Sequence, residues 1–219
     1  MRSVVLASFL NPESLIDKGG LALLAAIIFA ETGLLVGFFL PGDSLLFVAG
    51  FLASDAGGHR LPALPIVAAV AFVAAVVGDQ VGFWFGRKIG PALFTRPDSR
   101  LFKQQNVVRS HAFFERHGPK TIVLARFVPV VRTFTPVVAG VSEMNYRTFT
   151  KFNIIGGFLW AVGVTTLGYF LGQIDVVKNN IEIAIVLVIA LSLLPVAIEF
   201  VKHRREAKRG VDAVLTDAE

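Results

Sequence analysis

Residues 121–140 read TIVLARFVPVVRTFTPVVAG. Arg126 and Arg132 stand on either side of Pro129, and Pro136 follows, inside a run that is otherwise apolar. An arginine at the centre of a bilayer costs about 2.5–3.5 kcal/mol on insertion scales. A proline frees backbone groups that lipid cannot satisfy. A plain spanning helix would carry neither, so this stretch needs an arrangement that shelters both.

The rest of the chain establishes that a bilayer is the right solvent. Of 219 residues 54% are hydrophobic and only 17% charged, against about 45–50% and 25% in a soluble domain. Mean hydropathy is +0.68. The apolar residues fall in blocks at 21–40, 62–86, 149–172 and 181–201, each near the roughly 20 residues that cross a bilayer. The composition therefore points to an all-α polytopic membrane protein. No cleavable signal peptide is evident, since the apolar residues after Arg2 run into Asn11-Pro12-Glu13. The chain has no cysteine, which excludes disulfides and thiolate metal sites. The net charge of +5 comes from short loops beside apolar blocks, so it reports topology and not nucleic-acid binding.

Residues 87–120 carry Arg87, Lys88, Arg96, Arg100, Lys103, Arg109, Arg116 and Lys120 against Asp98 and Glu115. By the positive-inside rule this loop is cytoplasmic, and so is the basic tail at 202–219. Within the loop, Leu101, Phe102, Val108, Ala112 and Phe113 suggest an interfacial helix. Parity then makes 62–86 run inward, 149–172 outward and 181–201 inward. Segment 121–142 begins and ends in the cytoplasm, so it reads as a re-entrant hairpin, two half-helices joined at a break.

An analogous hairpin covers 21–52, broken at Pro41, Gly42 and Asp43. One full span followed by a short partial helix is the alternative there. Residues 1–20 form a separate amphipathic or interfacial segment. The halves echo each other: VAG at 48–50 recurs at 138–140, and GFWFG at 82–86 returns as GYFLG at 168–172. The expected fold is an inverted repeat of two re-entrant hairpins, each followed by a transmembrane helix, with a C-terminal helix added. Interrupted segments at matching positions of such a repeat point to a transport site.

The charges inside these segments are Glu31, Asp43, Asp79, Arg126 and Arg132. If the hairpins meet tip to tip, two carboxylates face two guanidiniums near the midplane. A guanidinium is permanently charged and matches phosphate with a bidentate fork, so Arg126 and Arg132 are candidates for an anionic headgroup, with mere neutralisation of Glu31 and Asp43 as the alternative. Burial favours the neutral form of a carboxylate, which makes Glu31 and Asp43 candidates for proton coupling, with helix capping or static pairing with arginine as the alternative. Asp79 is a secondary candidate that could equally serve in pairing. Pro41, Gly42, Pro129 and Pro136 are read as the hairpin breaks, and Trp84 and Trp160 as packing or interface anchors.

With these residues assembled, the sequence resembles the DedA family of bacterial membrane proteins, which are related to the eukaryotic VTT-domain proteins. The carriers are ETGLLVGFFLPGD (31–43), GDQVGFWFGRKIG (78–90), RFVPVVRTFTPVVAG (126–140) and FNIIGGFLW (152–160), within a match from Leu21 to Gln173. The resemblance implies required acidic residues at Glu31 and Asp43 and required arginines at Arg126 and Arg132. It further implies transport linked to the proton-motive force, notably return of undecaprenyl phosphate across the bacterial inner membrane. The partners it implies are a membrane lipid, either polyprenyl phosphate or a phospholipid, and protons.

Four alternatives stay open: a less selective phospholipid scramblase or flippase, a proton-coupled exporter, a lipid-phosphate phosphatase, and a purely structural or assembly role, which the intramembrane charges disfavour. The phosphatase is disfavoured because His59, His111, His117 and His203 all fall in expected loops or tails and no arginine-histidine phosphatase pattern appears. No cofactor, metal or nucleic acid is expected. The oligomeric state is left open, a homodimer among the options.

Overall fold

The structure, a computed structural model, describes residues 12–34, 40, 42–95 and 118–174. Among them every regular element is helical: α1 (Pro12–Gly33), α2 (Gly42–Leu52), α3 (Leu64–Thr95), α4 (Lys120–Ala125), α5 (Pro129–Val141), α6 (Tyr146–Gly157) and α7 (Gly163–Leu171). A π-helical turn, Phe158–Val162, joins α6 to α7. Pro41, most of the basic loop, the 181–201 segment and the tail at 202–219 lie outside the described residues.

Two stretches, Leu64–Ile89 and Tyr146–Leu171, are long and apolar enough to cross a membrane, at 26 residues each. At 1.5 Å per residue each spans about 39 Å. Their outward faces carry Ile66, Val73, Val77, Phe158 and Leu167, all exposed, an apolar surface of the kind lipid covers. The other apolar helices are shorter: Gly19–Gly33, Gly42–Leu52 and Val131–Val141. The first is cut off from the chain before it by Gly20, whose φ of 54° and ψ of −145° belong to a region that glycine alone enters freely.

Close glycine contacts give the relative directions. Gly33 lies so near Gly78 that a Cβ there would stand 3.0 Å from the Gly78 Cα. The apolar groove between the two helices is lined by Ala25 and Phe29 at one level and by Val70, Val73 and Val77 at the same levels of α3. So α1 runs parallel to α3 and ends level with Gly78, near the middle of the apolar part of α3. The chain then turns back through α2, and the Leu61 N–H donates to the Leu52 carbonyl at 3.2 Å just before α3 begins. This first helical hairpin thus opens at the N-terminal end of α3 and has its tip at mid-length.

The second hairpin approaches from the opposite end. Ile122 of α4 and Ala139 of α5 pack with Phe83 and Phe149, while Arg126, at the end of α4, reaches Asp79. α6 runs antiparallel to α3, as three ties show: the stacked rings of Phe83 and Phe149, 4.4 Å between centroids, Gln80 to Thr150 at 3.1 Å, and the edge-on pair Phe72 and Phe158. Pro129 opens α5, where the missing N–H costs nothing. Pro136, expected as a break, instead lies inside α5, which continues to Val141. The consequence is local: the Arg132 carbonyl loses the amide donor four residues on, and Gly82 leaves room for the proline ring.

The returning arms pack crosswise. α2 lies against α7, where a Cβ on Gly168 would strike the Phe47 carbonyl oxygen and one on Gly50 would reach the Tyr169 amide at 2.9 Å. α5 lies against α3, where a Cβ on Gly86 would strike the Val137 carbonyl oxygen and one on Gly140 would reach the Arg87 amide at 2.7 Å. Each VAG segment therefore meets the glycine-aromatic motif of the opposite half. Adding even one methyl would force backbones apart at both seams.

Candidate functional site

The two hairpin tips converge on the middle of α3 and α6, and the charged residues converge with them. Arg132 donates through Nη2 to Glu31 Oε1 and through Nη1 to Asp43 Oδ1, the latter at 2.6 Å. Trp160 Nε1 donates to the same Asp43 oxygen at 2.7 Å. The indole ring also faces Arg132, with Cζ 4.5 Å from its centroid, a cation–π distance. α2 begins at Gly42, packed so closely on the Glu31 carboxylate that any Cβ would strike Oε2. That places the positive end of the helix dipole beside an acid.

Arg126 occupies a second centre. Its Nη2 donates to Asp79 Oδ2 and to Asn153 Oδ1, the latter at 2.5 Å. The Asn153 amide donates in turn to the Val76 carbonyl at 3.2 Å, so its orientation is fixed. Gly156 and Gly157 form the wall: a Cβ on the first would stand 3.2 Å from Arg126 Cδ, and on the second 3.5 Å from Nη2. The missing side chains make the space the guanidinium fills.

Burial separates the members. Glu31, Arg126, Arg132, Asp79, Asn153 and Trp160 are all enclosed. Asp43 is the least so, its side chain 14% exposed against 1% for Glu31. The opening of the cluster is therefore at Asp43. Glu31 Oε2 and the Nε atoms of Arg126 and Arg132 are buried without a hydrogen-bond partner among the described residues. Among the described residues, with every group ionised, three carboxylates against two guanidiniums leave one surplus negative charge. The Arg126 centre is balanced, one acid to one base, and the surplus lies with Glu31, Asp43 and Arg132. One bound proton would cancel it.

Glu31, Asp43, Asp79, Arg126 and Arg132 thus come together, but the partnership is not two acids facing two arginines across the tips. Arg132 holds both hairpin carboxylates, and Arg126 turns to α3 and α6. Trp160, read from its type as a packing or interface anchor, is 1% exposed and bonded within the cluster. Trp84 does lie outside, against Tyr146 and Arg87. Asn153 escaped notice as a neutral residue at the polar end of an apolar segment. Its spacing of seven from Trp160, two helical turns on one face, was the available signal. His59 lies in the loop before α3, paired with Asp55. Beside the cluster, the apolar groove of α1 and α3 has a volume of about 560 Å³.

The chain matches the VTT domain over residues 40–170. It is 48% identical to Protein DedA of Escherichia coli strain K12 over 192 residues, 86% of this chain and 85% of that protein. It is 50% identical over 190 residues to an uncharacterized membrane protein of Mycobacterium leprae, covering 87% and 83%. Inner membrane protein YqjA of Escherichia coli strain K12 is 38% identical over 154 residues, 70% of this chain and 68% of its own. No solved structure matches the chain.

Proposed function

Because this chain belongs to the DedA family of VTT-domain membrane proteins, we propose that it is a proton-linked lipid flippase, moving a phosphate-headed lipid, undecaprenyl phosphate above all, across the bacterial inner membrane. In this reading the two hairpins are re-entrant, one from each face, and form an inverted repeat whose tips close the site from both sides. The C-terminus is cytoplasmic.

One observation carries the proposal: a buried cluster with one uncompensated negative charge, where the hairpin tips meet and open at Asp43. A site built only to hold helices together has no use for a surplus charge, since an unpaired buried ion costs several kcal/mol. A site that exchanges ions does. With both carboxylates ionised, Arg132 is engaged by them through Nη1 and Nη2. A proton on one of them frees an edge of the guanidinium, and a phosphate oxygen takes the vacated position. Each negative charge that enters is matched by a proton on Glu31 or Asp43, so headgroup and proton move together. Arg126, held by Asp79 and Asn153, fixes the second tip and adds positive potential. The apolar groove and the lipid around it receive the tail.

The test is transport of undecaprenyl phosphate into proteoliposomes with and without a pH gradient, comparing wild type with Arg132→Ala, Arg126→Ala, Glu31→Gln and Asp43→Asn at equal reconstitution. Wild-type transport should be abolished by Arg132→Ala and should lose its gradient dependence in Glu31→Gln and Asp43→Asn. Lipid movement no faster than in empty vesicles would end the proposal. Equal movement of ordinary phospholipids would replace it with a scramblase.

A further inference from the structure

The Arg132 guanidinium and the Trp160 indole aim their N–H groups at a single point, and that point is occupied by an oxygen of the protein itself. Arg132 Nη1 lies 2.6 Å and Trp160 Nε1 2.7 Å from Asp43 Oδ1. A buried indole needs only one acceptor, and any backbone carbonyl would serve. Sharing a charged donor's acceptor is a more demanding arrangement. Neither donor titrates in the working range, because the guanidinium is always charged and the indole always neutral.

We propose that Trp160 is a ligand-binding residue: its N–H and Arg132 Nη1 form a two-donor position for an oxygen of a phosphate monoester, and the Asp43 carboxylate is the resident stand-in for that oxygen. This rests on the transport reading above. Four observations support it. Asp43 is the most open member of the cluster, so its oxygen is the one an incoming anion reaches first. The ring lies against Arg132 with Cζ 4.5 Å from its centroid, which fixes the guanidinium plane while the acceptor is exchanged. Arg132 Nε is buried and has no partner among the described residues, leaving a further donor on the same group. The π turn bearing Trp160 is also a helical irregularity often found at functional sites.

The experiment uses the full chain in detergent, labelled with 5-fluorotryptophan. Two tryptophans give two fluorine resonances, and Trp84→Phe assigns them. The probe is a water-soluble short prenyl monophosphate, with inorganic phosphate and the matching prenyl alcohol in parallel. The Trp160 resonance should shift saturably with the prenyl monophosphate and stay put with the alcohol. Trp160→Phe keeps the ring, loses the N–H, and should weaken binding roughly ten- to a hundredfold, as expected for one hydrogen bond to a charged acceptor. The Trp84 resonance reports that this variant is folded. Asp43→Asn offers a weaker internal competitor and should bind the probe several-fold more tightly.

Unchanged affinity in Trp160→Phe overturns the role of Trp160 and leaves the transport reading standing. Looser binding in Asp43→Asn overturns the stand-in relation even if Trp160→Phe fails to fold. Failure of the wild type to bind removes the transport reading and this inference together. An equal response to inorganic phosphate upholds the anion position and removes the lipid as its source.

Discussion

Arg126 and Arg132 leave the same broken segment on either side of Pro129, yet their surroundings differ in kind. Arg126 faces one carboxylate and one amide, with glycines shaped around it and the amide itself tied to a backbone carbonyl. Its charge is matched by Asp79, and its Nη2 is held by two acceptors. Arg132 faces two carboxylates that belong to the opposite hairpin, under an aromatic ring and beside the one opening. Its surroundings hold two carboxylates to one guanidinium, and one of those carboxylates also accepts from Trp160. A balanced buried pair behaves as an anchor, whereas an unbalanced one has to bind something from outside.

The largest test of this contrast breaks each centre and then repairs it with apolar side chains. Arg126→Met strands Asp79 and should lower stability by about 3–5 kcal/mol, while Arg126→Met with Asp79→Leu should recover most of that. Denaturation in mixed micelles measures both. The repaired protein should still move lipid, though more slowly. Arg132→Met with Glu31→Leu and Asp43→Asn, which leaves neither carboxylate stranded, should regain stability and move none. If the repaired Arg126 variant is folded but wholly inactive, the two arginines are functionally alike and the distinction collapses.

A smaller effect isolates the amide. Asn153→Ala removes one hydrogen bond to a charged group and should cost about 1.5–3 kcal/mol. It should slow transport only as far as it loosens the second tip. Next come the crosswise seams, where Gly50→Ala and Gly140→Ala should each cost about 1–3 kcal/mol through overpacking. Gly163→Ala, with nothing within 4 Å of its added carbon, should instead gain up to about 1 kcal/mol of helix propensity. Matched losses at the two seams would sharpen the comparison of the halves, and a loss at only one would break it. Last, Trp84→Phe on the outer face should stay within about 0.5 kcal/mol of wild type by thermal unfolding, in contrast to any change at Trp160.

The charged members were legible in the sequence because an ionised side chain in an apolar run is anomalous wherever it stands. Their partners were not. Nothing along the chain says that Arg126 turns to Asp79 and not to Glu31, since that choice depends on how α4 sits against α3 and α6. Pro136 shows the same limit: a proline marks a break only when the neighbouring surface does not accept the ring, and here Gly82 does. Trp160 packs in the core, one of the two roles its type suggests, but its hydrogen bond to Asp43 was not legible, because only the location of an acceptor decides it. The glycine echoes at 50, 140, 86 and 168 were visible as repeats. That they meet each other across the halves, and not within them, became visible only from the contacts between α2 and α7 and between α3 and α5.

That crosswise packing makes the order of synthesis matter. Arg132 follows Asp43 by 89 residues, which at about 5–20 residues per second is a delay of roughly 4–18 s on the ribosome. During that interval the first hairpin has two carboxylates and no guanidinium, and α2 has no α7 to lie against. Only synthesis of the second half supplies both.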